Sequence, residues 1–142
     1  MWPVAPDPAR RLGPLARLLL SAEILFDYAR AHRLMRRTDI EDALRRLRDH
    51  SVTESEPTPA QHFTAMRLGR AAMLLLRRLP TDSRCLVRSL AVSGMLARRG
   101  IPAQLVLGVR PDSSDPFMAH AWVEHGGECV LPDEGFERLH AL

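Results

Sequence analysis

The chain has 142 residues, 46% apolar and 26% charged, with a net charge of +3 and a pI near 9.6, the profile of one globular domain able to bury a core. All 20 basic residues are arginine, yet no basic stripe interleaved with aromatics and no nucleic-acid motif is present, so nucleic acid is not an expected partner. Two cysteines outside any CxxC or Cys/His zinc spacing, no apolar run near the ~20 residues of a membrane span and no secretory signal predict a cytoplasmic chain with free thiols and no metal or cofactor.

Residues 1–10, with Pro3, Pro6 and Pro8, read as an extended lead-in. From Leu12 the pattern turns helical: Leu15, Leu18, Leu19, Ala22, Leu25 and Phe26 recur at three- and four-residue spacings and predict the core-facing side of a helix running toward Met35. Arg30, Arg33, Arg36 and Arg37 suit its C-terminus. They form either a solvated face or a surface that meets a partner or a membrane. Thr38 or Asp39 caps a short second helix with Ile40, Ala43, Leu44 and Leu47 inward. After a linker from Ser51 to Pro59, Thr58-Pro59-Ala60-Gln61 reads as a capping box with proline at the first helical position. The helix it opens should run to about Leu79. Ser83 or Asp82 caps the next, which places Cys85 in a first turn, and Arg98-Arg99-Gly100 with Pro102 ends it.

Beyond Gly100 the period shifts to that of strands. Residues 103–109, 117–124 and 128–131 predict a three-stranded antiparallel meander, the last two joined by a turn at Gly126-Gly127, before a short terminal element over 136–142. The expected class is α+β, with N-terminal helices and a helix bearing Cys85 packed on a small antiparallel sheet. One domain over 1–142 is expected, divided into a helical N-terminal extension (1–58) and a core (59–142).

A cysteine in the first turn of a helix meets unpaired backbone N–H groups and the positive end of the helix dipole, both of which favour thiolate. Those N–H groups also suit a developing oxyanion. Taken alone, Cys85 reads first as a small buried apolar residue. His120 alters the weighting. Alternation puts it on one strand face with Trp122, while Ala119, Ala121 and Val123 share the other. Asp133 lies on or just past the next strand, where it can accept the second ring N–H of His120. It is also an ordinary turn residue. Glu124 is a weaker candidate for that role, Trp122 a core residue or a wall of the site, and Cys129 a core or half-buried residue. A thiol, an imidazole and a carboxylate together suit nucleophile, base and orienting group.

Cys85-Leu86-Val87-Arg88-Ser89-Leu90-Ala91, Gln104-Leu105-Val106-Leu107-Gly108-Val109 and Ala119-His120-Ala121-Trp122-Val123-Glu124 resemble the leader-peptidase domain of lasso-peptide B proteins. That domain is similar to the transglutaminase-like cysteine protease superfamily. The resemblance covers about residues 60–140 and implies a transglutaminase/papain-like core, with Cys85 as nucleophile, His120 as general base and acid, and Asp133 as orienter. It implies hydrolysis of one peptide bond that frees a precursor from its leader, followed by ring closure by a separate lasso cyclase. Some B proteins carry a fused precursor-recognition domain; residues 1–58 read as helices, so a stand-alone peptidase and a separate recognition protein are expected, with the N-terminal arginines as a contact surface for that protein or the leader. Transglutaminase-like acyl transfer to an amine and a non-catalytic precursor-binding scaffold are the alternatives.

Overall fold

The computed structural model describes residues 12–48, 56–79, 85–110 and 119–142. Four helices, α1 (Pro14–Met35), α2 (Ile40–Leu47), α3 (Pro59–Leu76) and α4 (Cys85–Arg98), precede four strands, β1 (Gln104–Val109), β2 (Ala119–His125), β3 (Glu128–Cys129) and β4 (Glu137–Ala141). The strands form one antiparallel sheet in the order β3-β2-β1-β4. The architecture is α+β, and no described helix is long and apolar enough to cross a membrane.

Local chemistry explains the helix starts. Asp39 caps α2 by accepting the Asp42 N–H at 2.8 Å. Thr58 and Gln61 close the capping box reciprocally, at 3.2 and 3.1 Å, with Pro59 opening α3. Helix α3 ends at Leu76, short of the expected Leu79, because the chain tightens into three-residue turns from Arg78 N–H to Leu75 O and from Leu79 N–H to Leu76 O. The proposed caps Ser83 and Asp82 lie outside the described residues.

Helix α4 is the axis of the molecule and is buried from Val87 through Ala97. Val87, Leu90 and Ala91 pack with Leu44 and Leu47 of α2 and Leu105 of β1. Val92, Met95 and Leu96 belong to a second cluster with Ile24 of α1, Leu68, Ala72 and Leu76 of α3, and Val123 of β2. A helix with apolar residues on more than one face needs such enclosure. Arg48, just past α2, ties this layer to the sheet by donating to the carbonyls of Ala103 (3.0 Å) and Leu142 (3.3 Å).

Two expectations are corrected. First, the periodic leucines of α1 do not face the core: Leu15, Leu18, Leu19 and Phe26 are 62–68% exposed, and Ile24, Asp27 and Ala31 are the buried residues. Helix α1 carries two apolar faces, and an ion pair decides between them. The Asp27 carboxylate, with no solvent exposure, takes the Arg98 guanidinium through both oxygens, while Glu23 bonds Arg98 at 2.9 Å and Arg99 at 2.7 and 2.8 Å. A buried carboxylate is tolerated only when paired, so Asp27 must turn toward α4. The acidic residues of α1, not its arginines, make this contact.

Second, the sheet has four strands, not three. Strand β3 is only two residues long, because Val130 and Leu131 leave the ladder and both donate to the Val123 carbonyl. The terminal segment becomes β4 on the far side of β1, pairing Val106 with Ala141 and Val109 with Glu137, with a register shift between Leu107 and Gly108. Gly69 marks a close approach of α3 to the tail of β3: a Cβ there would lie 2.3 Å from the Val130 carbonyl oxygen.

Candidate active site

Cys85 is the first residue of α4 and is half-buried. The N–H groups of an opening turn have no partner within the helix, so the thiol sits where negative charge is favoured. Its sulfur accepts the backbone N–H of Ala121 at 3.4 Å. One turn along α4, Ser89 donates to the carbonyl of the same residue at 3.1 Å. Ala121 pairs with Leu107 across β1–β2, and both its polar backbone groups point out of that pair toward α4. Cys85 and Ser89 thus clamp the free edge of β2 at one residue, and the peptide whose N–H meets the sulfur is the one that begins at His120.

His120 is buried. Its Nε2 lies 2.9 Å from the Pro132 carbonyl oxygen. A carbonyl only accepts, so Nε2 carries the hydrogen, and Nδ1 of the neutral ring is left with the lone pair a base needs. The ring stands between two aromatic neighbours, Trp122 with centroids 5.9 Å apart and Phe136 at 5.1 Å. Arg110 covers Phe136 with its guanidinium carbon 4.8 Å from the ring centre, and donates to the Glu134 carbonyl at 3.2 Å. The segment after β3 therefore wraps over His120, offering a carbonyl at one end and a ring at the other.

Asp133 is exposed and shapes that segment. Its Oδ1 accepts the Gly135 N–H at 3.1 Å and its backbone carbonyl accepts the Phe136 N–H at 3.0 Å, across Glu134 and Gly135 with φ of 54° and 81°. The Asp133 Oδ2 lies 4.0 Å from the Cys129 sulfur. The group meeting the His120 ring nitrogen is thus the carbonyl one residue earlier. Glu124 is engaged elsewhere: it accepts the Trp122 indole N–H at 2.8 Å and pairs with Arg138. This bond holds Trp122 in place and commits its N–H. Gly108 makes room for the indole, since a Cβ there would lie 2.5 Å from the Trp122 ring and 2.5 Å from the Glu137 carbonyl oxygen.

Cys129 differs from Cys85 in its surroundings. It is exposed on β3, at no helix start, and the partial desolvation of its sulfur, followed by the charges of Asp133 and Glu124, pushes its pKa up. His62 and His125, whose tilted rings have centroids 5.6 Å apart, lie with Glu128 away from this arrangement and fasten α3 to the β2–β3 turn.

The Pro132 carbonyl, the Ala121 N–H and the Phe136 ring escape sequence reading. The first two are backbone groups that any residue would supply, and Phe136 reaches His120 only through a turn whose path no local spacing reveals.

A family model described as the transglutaminase-like superfamily matches residues 19–141. The chain is also similar to the Microcin J25-processing protein McjB of Escherichia coli, 46% identical over 48 residues, which are 34% of this chain and 22% of that protein. The shared stretch therefore takes in well under two thirds of the relative. No solved structure matches the chain.

Proposed function

The chain belongs to the transglutaminase-like superfamily, and on that premise we propose that it is a cysteine peptidase that removes the leader from a ribosomally made lasso-peptide precursor. The observation that carries this reading is the Cys85 sulfur held against the N–H of Ala121, the residue that follows a histidine whose Nε2 is already committed to a carbonyl. The match to a microcin-processing protein supports the choice of substrate class.

In this mechanism Nδ1 of His120 takes the thiol proton, and the Cys85 thiolate attacks the scissile carbonyl. N–H groups of the α4 opening turn stabilise the oxyanion. The imidazolium returns its proton to the leaving amine as the C–N bond breaks, leaving a thioester and releasing the core peptide. Water, deprotonated by His120, then opens the thioester and frees the leader carboxylate. Asp133 acts as orienter through the turn it fixes, which positions the Pro132 carbonyl on His120. No metal or cofactor takes part. A separate precursor-recognition protein presents the leader, and a lasso cyclase uses the amine released. A reducing cytoplasm keeps Cys85 a free thiol.

The superfamily match also favours a second reading, in which an amine intercepts the thioester. Mass spectrometry of the products, after incubation of the chain with a lasso precursor and its recognition protein, separates the two. Hydrolysis yields two fragments whose masses sum to the precursor plus one water. Transfer yields a new amide on the leader side, and its appearance in place of the free carboxylate would overturn the peptidase reading.

A further inference from the structure

We propose that the groove between α1 and α3 is a docking site for an acidic, amphipathic peptide segment. It is a cavity of about 510 Å³, within the range of built ligand sites. Leu20 and Ile24 contribute to its apolar floor, and four arginines, Arg17, Arg67, Arg70 and Arg78, line it. No aspartate or glutamate is among its described lining residues. None of the four side chains has an ion pair or hydrogen-bond partner among the described residues, although Glu23, one residue from Ile24, pairs with two arginines of α4. The Nε of Arg67 is buried and has no acceptor among the described residues. Four guanidinium groups around an apolar floor, with no acidic side chain among the described lining residues, call for acceptors from outside, and carboxylates match the guanidinium fork.

Spacing separates a peptide from smaller anions. Arg67 and Arg78 bracket three turns of α3 and its end, a span on the order of 15 Å. One anionic head group cannot reach both ends, whereas a peptide with several carboxylates and intervening apolar side chains satisfies rim and floor together. A concave site also suits an inserted chain better than a bilayer, which needs a protruding face. Arg78 lies just beyond the end of α3. The binding does not rest on the peptidase reading.

The test uses the full chain carrying Cys85→Ala and a fluorescein-labelled synthetic peptide of glutamates interspersed with leucines, with anisotropy as the readout. Saturable binding is expected, weakened about tenfold or more by Arg70→Gln with Arg78→Gln, because both lose charge-assisted contacts. The pair Arg36→Gln with Arg37→Gln, outside the groove, should leave it unchanged. Should the groove variant fail to fold, the same peptide with glutamine for glutamate is titrated against the parent chain and must also bind about tenfold more weakly. Equal binding of the glutamine peptide, equal loss from both arginine pairs, or arginine-dependent binding confined to phosphatidylserine vesicles would each overturn the proposal. Leader release by the chain with Cys85 intact is measured alongside. Cleavage without groove binding overturns the groove alone, and groove binding without cleavage overturns the peptidase reading alone.

Discussion

His120 donates its Nε2–H to the carbonyl oxygen of Pro132 at 2.9 Å, and this bond leaves Nδ1 as the basic nitrogen. The usual expectation for such a histidine is a carboxylate partner, and here the neighbouring Asp133 instead anchors the turn that presents the carbonyl. The distinction is measurable. A carboxylate acting directly on a catalytic histidine is worth up to about 10⁴ in kcat when replaced by its amide. Because an asparagine oxygen can still accept the Gly135 N–H, Asp133→Asn should lower leader release by less than about tenfold, and Asp133→Ala should cost more as the turn loosens. A loss near 10⁴ for Asp133→Asn in a steady-state cleavage assay would mean that the carboxylate contacts the ring directly during turnover.

The two thiols should part company in alkylation. Cys85 sits at a helix start beside a backbone N–H, whereas burial and two carboxylates raise the Cys129 thiol. Iodoacetamide near neutral pH should modify Cys85 first, read by peptide mapping, with Cys129 labelling rising only as the solution becomes alkaline. Equal and slow labelling of both would favour the scaffold reading, in which Cys85 is structural.

The two faces of α1 predict opposite responses to substitution. Leu18→Gln, on the exposed face, should change stability by less than about 0.5 kcal/mol. Ile24→Ala, on the buried face, should cost about 2–5 kcal/mol. Arg98→Ala should cost about 3–5 kcal/mol by leaving Asp27 buried without its partner. Urea denaturation of the three variants checks the ordering, and a destabilised Leu18→Gln would reverse the assignment of faces.

Acid should loosen the same contact. The hydrogen bond from Arg99, with further help from Arg98, holds the Glu23 carboxyl below the ordinary carboxylate range despite partial burial. A depressed folded-state pKa contributes stability above the unfolded value, near 4.5, that is lost as pH falls through the folded value. The melting temperature should therefore hold from neutrality down to about pH 5 and fall below it, and Glu23→Gln should flatten that acid limb relative to the parent.

Much of this arrangement is legible in the sequence. The α+β class followed from the change of period after Gly100, and the Thr58–Gln61 box followed from local signals that tertiary packing left intact; Cys85 heads α4 as expected, while its candidate caps Ser83 and Asp82 lie outside the described residues. The errors arose where a local pattern admitted two outcomes. Leu15, Leu18, Leu19 and Phe26 make a better apolar stripe than the face that is buried, and only the partner of Asp27, far along the chain at Arg98, resolves the choice. The place of β4 beside β1 is likewise a long-range pairing that residues 136–142 do not announce. At the site, side chains were readable and backbone partners were not: spacing points to His120 and Asp133, but not to the carbonyl between them in the chain.

The most direct measurement compares the parent chain with Cys85→Ala on a lasso precursor, in the presence of its recognition protein, with intact precursor and free leader quantified by mass spectrometry. The account predicts leader release by the parent chain, none by the Cys85→Ala chain, and unchanged precursor binding by both. Release by Cys85→Ala at the parent rate would contradict it.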